Sequence, residues 1–260
     1  MQARAKHKIV ALIVGLGSGL TASAGASSST RSIIVFDNSG SMRQNDPQRL
    51  AQTAAMLYIQ LSKPTDEVGL VVFSKKGRVA VPLGPASAQQ SKISQQLTGL
   101  KLNGALTDIG AALEAALDAL DTSEAGVNDI VVLLTDGRVD LGIRTQARTA
   151  RARRRLRTDL LERYRQQNVR LYTIAFTPSS DRRLMEELAA RTQGAFWYIE
   201  SAEALHRAFT ALFTEASGAM RLPVRDGLVV VDPSIKQTSL VISKKTPTQT
   251  NALISQACFA

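Results

Sequence analysis

Four short apolar runs punctuate the chain: residues 33–36 (IIVF), 68–73 (VGLVVF), 129–135 (DIVVLLT) and 169–176 (VRLYTIAF). None shows the in-out alternation of a strand with one wet face. Near-continuous apolar runs of this length predict strands buried on both faces, as in a parallel sheet. Between them the spacing changes to that of helices. Leu50, Ala54, Leu57 and Leu61 form one stripe, and Ile109, Leu113, Leu117 and Leu120 a second. Leu156, Leu160, Leu161 and Tyr164 form a third, inside a long basic segment. Asp46-Pro47 reads as an N-cap followed by proline at the first helical position, and Lys63-Pro64 as a stop. Residues 78–83 predict an edge strand, where Pro82 is tolerated, and residues 195–199 a further short strand. Helices are expected over 87–97, 107–120, 181–190 and 202–213. Strands alternating with helices predict the α/β class, with a doubly wound, mostly parallel, Rossmann-like sheet covered on both faces.

The pattern changes at both ends. From about residue 220 helical spacing disappears. Residues 227–232 (GLVVVD) and 239–243 (SLVIS) are apolar runs separated by Pro233-Ser234, which predicts a short antiparallel β segment over 219–260, like the start of a β-sandwich. At the other end a basic stretch, Arg4, Lys6 and Lys8, precedes the apolar residues 9–20. Small residues with two A-x-A patterns follow (TASAGAS), the layout of a secretory signal peptide over 1–26. The apolar run is shorter than the roughly 20 residues of a membrane span. Residues 27–31 then form a linker, and the main domain is expected over 32–218. This organisation places the protein across the inner membrane, periplasmic or attached to the envelope.

Three polar features fall at the ends of predicted strands or at helix entries, the rim where open α/β sheets bind ligands. They are Asp37-x-Ser39-x-Ser41, Thr107-Asp108 and Thr135-Asp136-Gly137. Alternate residues of an extended turn point the same way, so Asp37, Ser39 and Ser41 can offer one carboxylate and two hydroxyls to a common point. Asn38 and Gly40 are expected to permit the tight backbone. Thr107 adds a hydroxyl and Asp136 a second carboxylate, directly or through water. Oxygen-only donors select a hard divalent cation, Mg²⁺ before Mn²⁺ or Ca²⁺. Two carboxylates leave such a cation with little surplus protein anion, so an open coordination position favours an Asp or Glu carboxylate from a partner. Asp108 reads instead as a helix cap.

The residues 36–42 (FDNSGSM), with the distant Thr107 and Asp136 in order, closely resemble the D-x-S-x-S loop and its companions in von Willebrand factor A domains and integrin inserted domains. Residues 173–190 and Thr192-Gln193-Gly194 resemble the late part of bacterial members. The resemblance covers roughly residues 31–217 and implies a metal-ion-dependent adhesion site. There Asp37, Ser39 and Ser41 ligate directly, Thr107 does so when a partner is bound, and Asp136 acts mainly through water. It implies metal-mediated protein binding and no catalysis in this domain. It also implies that Gly137 frees the loop after Asp136. One departure is Ala105-Leu106 before Thr107, where the family often carries glycine, which shifts the loop slightly.

Composition narrows the alternatives. Apolar residues are 44% of 260, enough for a substantial core, and aromatics only 5%. The formal charge is +10, much of it in the arginines from Arg144 to Arg157. These read first as a solvated helix face, and secondly as a patch from Arg148 to Arg157 for an anionic surface. No aromatics interleave with them and the chain is expected outside the cytoplasm, so nucleic acid is not an expected partner. Cys258 is the single cysteine and His7 and His206 the only histidines, which argues against zinc catalysis or a disulfide framework. A metal-dependent hydrolase lacks an evident general base. The remaining alternative to an adhesion module is an accessory subunit of an envelope enzyme or assembly complex.

Overall fold

The computed structural model describes residues 10–17, 29–120, 127–136, 139–141, 146–178, 180–217, 220–221, 235–243 and 252–258. Two compact units divide the chain. One comprises Ser27–Ala208, the other Met1–Ala26 with Phe209–Ala260. In chain order the first described element is β1 (Val10–Gly17) of the smaller unit.

The larger unit contains β2 (Thr30–Asp37), α1 (Met42–Asn45), α2 (Leu50–Leu61), β3 (Glu67–Phe73), β4 (Gly77–Pro85), α3 (Ala86–Thr98) and α4 (Ile109–Leu120). It continues through β5 (Asn128–Thr135), α5 (Gln146–Arg155), a π-helical turn (Leu156–Leu160), α6 (Leu161–Gln166), β6 (Arg170–Ala175), α7 (Arg182–Arg191) and β7 (Phe196–Tyr198). The six strands form one sheet in the order β4-β3-β2-β5-β6-β7. All neighbours are parallel except β3 and β4. The fold is thus the expected α/β class with a mostly parallel sheet. Pro82 lies on β4, an edge strand whose outer hydrogen-bonding side needs no donor.

Burial follows the apolar runs. Every residue of β2 is buried, and β5 is buried beyond its first residue. On one face Ile33, Val35, Val71, Phe73, Val131 and Leu133 join residues of α4, α6 and α7 in a single core cluster. The alternating residues Ile34, Phe36, Leu70 and Val132 are buried as well, which requires cover on the opposite face. There α2 and α3 meet the sheet and each other. Each buried Leu or Ile contributes roughly 1.5–3 kcal/mol relative to exposure, so the sheet's two apolar faces supply the main stabilising term.

Where the chain enters the sheet, Arg31 and Asp129 form a buried two-pronged ion pair, Nε to Oδ1 at 2.8 Å and Nη2 to Oδ2 at 2.7 Å. It ties the starts of β2 and β5 together at the end opposite the strand C-termini. The sequence pattern, read for apolar runs, passed over this pair.

Three expectations are corrected. Helix α2 does not start at Pro47. It begins at Leu50, and the Asp46 carboxylate accepts from the Leu50 and Ala51 N–H groups at 2.7 and 2.8 Å. The chain has already turned through α1, so Asp46 caps from outside the helix while Arg49, at φ 55°, makes the corner. The basic segment is not one α-helix, because it widens into the π conformation at Leu156–Leu160, between α5 and α6. And the β-rich segment is not built from the C-terminal residues alone. In the smaller unit, β8 (Met220–Arg221), β9 (Ile235–Ser243) and β10 (Ala252–Cys258) form an antiparallel sheet with β1, in the order β10-β9-β1-β8. In the full chain the apolar residues expected to serve an export signal thus run as a strand beside β9. The pairing runs in continuous register from Val10 opposite Ser243 to Gly15 opposite Thr238, satisfying backbone groups there, and shifts between Gly15 and Gly17. The expected strand over 227–232 lies outside the described residues. Helix α8 (Ala202–Ser217) follows β7, and the division between the units falls within it. Among the described residues no helix is long and apolar enough to cross a membrane.

Candidate metal centre

Strands β2 and β5 are adjacent and parallel, so Asp37 and Asp136, each at a strand's C-terminal end, come to the same rim. Asp37 is fully buried. Its Oδ1 accepts from the Ser39 N–H at 2.8 Å, and its Oδ2 from the Thr135 hydroxyl at 2.6 Å. These bonds fix the carboxylate and curl the loop, bringing the Ser39 and Ser41 hydroxyls within 3.0 Å of each other. Ser39 is buried and Ser41 exposed, so the pair reaches from the core to the surface. Asp136 is 1% exposed; its Oδ2 accepts from the Asn45 side-chain amide at 3.0 Å, while its buried Oδ1 has no hydrogen-bond partner.

Thr107 comes from a different loop, pinned to the first by backbone bonds. Gly40 N–H donates to the Gly104 carbonyl at 2.7 Å and Gly104 N–H to the Asn38 carbonyl at 2.9 Å. The Asn38 side chain accepts from Leu102 N–H at 3.0 Å. Thr107 and Asp140 exchange two backbone bonds, 2.8 and 3.0 Å, which tie the Thr107 loop to the one after Asp136. Thr107 is buried, and Asp108 caps α4 by accepting from Ala111 N–H, as expected.

The critical glycine is not the expected one. A Cβ on Gly40 would meet only the Gly104 carbonyl oxygen, at 3.5 Å, an ordinary contact. A Cβ on Gly104 would lie 2.3 Å from the Ser74 Cβ and 3.0 Å from the Asn38 carbonyl. The two loops cross at Gly104. Sequence reasoning also missed Asn45 and Thr135, which hold the two carboxylates. Thr135 stands in the quoted Thr-Asp-Gly triplet, so a signal existed; Asn45 had none. Gly137 lies outside the described residues.

Electrostatically the site is short of positive charge. Neither Asp37 nor Asp136 makes an ion pair among the described residues. Burial pushes the Asp37 carboxyl up to about 7, the Thr135 hydroxyl lowers it, and the neighbouring Asp136 raises it further. Two buried carboxylates, one with an idle oxygen, and a pair of hydroxyls at hydrogen-bond distance make a donor set that a hard divalent cation fits. No three His, Cys, Asp or Glu side chains converge among the described residues, so any cation here depends on the hydroxyl oxygens as well.

A parallel-sheet domain with an acid-and-hydroxyl loop at its C-terminal rim defines a class, and the comparisons name it. The von Willebrand factor type A domain family matches residues 33–225, and the chain belongs to that family. Solved structures share the fold. The conserved hypothetical protein BatB from Bacteroides thetaiotaomicron is 15% identical, with 73% of this chain and 99% of that one covered, at a TM-score of 0.55. A von Willebrand factor type A protein from Catenulispora acidiphila is 17% identical, covering 98% of this chain and 74% of that one, at 0.57. Proximal thread matrix protein 1 from the mussel byssus, solved with a zinc-occupied MIDAS motif, is 16% identical, covering 73% and 48%, at 0.51. No curated protein matches the chain.

Proposed function

We propose that this protein is an exported, metal-dependent protein-binding module that grips an acidic group of a partner through a divalent cation at the sheet rim. Ser39, Ser41 and Asp37 would hold the cation directly, with Thr107 joining when a partner is bound and Asp136 acting mainly through water. Mg²⁺ is the expected cation, with Mn²⁺ and Ca²⁺ as substitutes, because every donor is oxygen. When bound, the cation supplies a Lewis-acidic position open to a carboxylate from outside. The protein's own residues supply everything else. Thr135 and the Ser39 N–H orient Asp37, Asn45 orients Asp136, and Gly104 lets the two loops close on each other. No residue here is assigned a catalytic role.

The observation that carries this reading is the buried, unpaired acidity of the site. An unpartnered buried carboxylate oxygen beside a second buried carboxylate is costly unless a cation joins them. The zinc reported in the MIDAS motif of the mussel protein supports a cation at the equivalent place. Export rests on the basic, apolar and small-residue pattern over 1–26. A similar fold in an aerotolerance-related membrane protein from Bacteroides fragilis agrees with an envelope location. The test is calorimetric titration of the chelator-stripped protein with Mg²⁺ and Mn²⁺, wild type against Asp37→Ala. Saturable binding lost in the variant is the expected result; a folded wild type that binds neither ion would sink the proposal. Cell fractionation tests the location, and recovery from the cytoplasm alone would refute export.

A further inference from the structure

The basic helix is not a uniformly solvated face. Arg153 pairs with Asp181, Arg155 with Glu114, Arg157 with Glu187 and Arg163 with Asp118, so ion pairs tie the α5–α6 segment to α4 and α7. Among the described residues, Arg151 and Arg154 are exposed and have no carboxylate partner. Arg151 lines a groove of about 340 Å³ between α4 and α5. Leu156 and Leu160, buried, and Ala111 and Ala152, half-buried, give that groove an apolar lining. The lining leucines belong to the π-helical turn, a conformation rare in helices and frequent at functional sites. The groove begins at Asp108, the residue after Thr107, so it opens beside the metal centre. Of its other charges, Glu114 and Arg155 pair with each other, while Asp108 accepts from the Ala111 N–H and keeps its negative charge at the end nearest Thr107.

We propose that this groove is the second anchor for the partner, and that the partner is an acidic peptide segment. One carboxylate of that segment goes to the cation, an apolar side chain seats between α4 and α5, and a second carboxylate meets Arg151. The inference rests on the metal-centre reading. Charge complementarity at Arg151 selects the acidic segment, since Arg151 is the one cation on the groove without a carboxylate partner among the described residues, and its guanidinium suits planar recognition of a carboxylate.

The test selects a phage-displayed library of short linear peptides on the full chain in Mg²⁺, with elution by EDTA. The expected pool carries two acids with an apolar residue between them. Synthetic copies of its members should bind Arg151→Glu and Ala152→Phe about tenfold more weakly than wild type, with Arg165→Glu unchanged. Circular dichroism melts establish that the variants fold. EDTA-eluted peptides that bind Arg151→Glu and Ala152→Phe as well as wild type would overturn the groove and leave the metal centre standing. So would an empty EDTA eluate from a chain that calorimetry shows to bind Mg²⁺. Peptide binding indifferent to Arg151→Glu, with metal-independent adsorption to phosphatidylglycerol vesicles lost in that variant, would assign the helix to a lipid surface instead. A chain that binds no metal at all fails at the earlier reading.

Discussion

Replacing Asp37 by Asn isolates the cost of the buried charge. Asn stands in for the protonated acid, keeping an oxygen for the Ser39 N–H and an amide that can donate to the Thr135 hydroxyl. In the folded, metal-free chain the Asp37 carboxyl titrates near 7, against 3.8 for the free side chain. The sign follows from proton linkage. Below the unfolded value both states hold the proton and the charge costs nothing. Between the two values the folded state keeps a proton that the unfolded state has released, so stability falls as pH rises. Above about 7 the penalty is complete, the pKa difference amounting to about 4 kcal/mol. Asp37→Asn in EDTA at pH 8 should therefore melt higher than wild type, by roughly 10 °C for a domain of this size, and the gap should close as pH falls to about 4. Saturating Mg²⁺ should raise the wild-type melt and leave the variant unmoved, because only the wild type gains binding free energy. Thermal melts by circular dichroism, in EDTA and in Mg²⁺ across this pH range, decide it. A variant less stable than wild type in EDTA at pH 8, or a difference independent of pH, would refute the reasoning.

Three further substitutions separate the layers of the site. Gly104→Ala should cost about 1–3 kcal/mol in urea denaturation and weaken Mg²⁺ binding, since its Cβ would force Ser74 and the Asn38 loop apart; unchanged stability would show that the crossing is slack. Asn45→Ala should leave the fold intact and lower Mg²⁺ affinity about tenfold in calorimetry, through loss of the bond that orients Asp136. Arg31→Ala should destabilise by about 3–5 kcal/mol, because it strands the buried Asp129, while Mg²⁺ affinity stays at the wild-type value. Restoration of stability in Arg31→Met with Asp129→Leu, measured by the same denaturation, checks that the loss is the orphaned charge.

The parts of this molecule legible in its sequence are those written in local periodicity. Residues 33–36 and 68–73 are apolar or glycine throughout, and 129–135 and 169–176 nearly so, because both faces of their strands are covered, and each run overlaps a strand of the parallel core. The closeness of Asp37, Ser39 and Ser41 was legible because they lie within five residues of one loop, although that loop curls on the Asp37–Ser39 bond and is already helical at Ser41 instead of running extended. What stayed hidden depends on residues far apart in the chain. Gly104 matters because Ser74 and Asn38 pass beside it. Asn45 matters because Asp136, on another strand, lies within its reach. Strand β1 pairs with residues more than 200 positions away, and its apolar run, read locally, fits an export signal equally well. The arginines show the limit most clearly. Composition registers a block of positive charge, whereas the structure pairs three of those side chains, and Arg163 beyond them, with acids on α4, α7 and the α7 cap.

The central claim is that one divalent cation sits among Asp37, Ser39, Ser41, Thr107 and Asp136. Anomalous scattering from a crystal of the protein soaked in Mn²⁺ tests it most directly, because the metal reports its own position. The expected result is a single strong peak at the rim, within ligand distance of the Ser39 and Ser41 hydroxyls and absent from Asp37→Ala crystals. Manganese found elsewhere, or a rim without a peak when its loops are free of lattice contacts, would contradict the account.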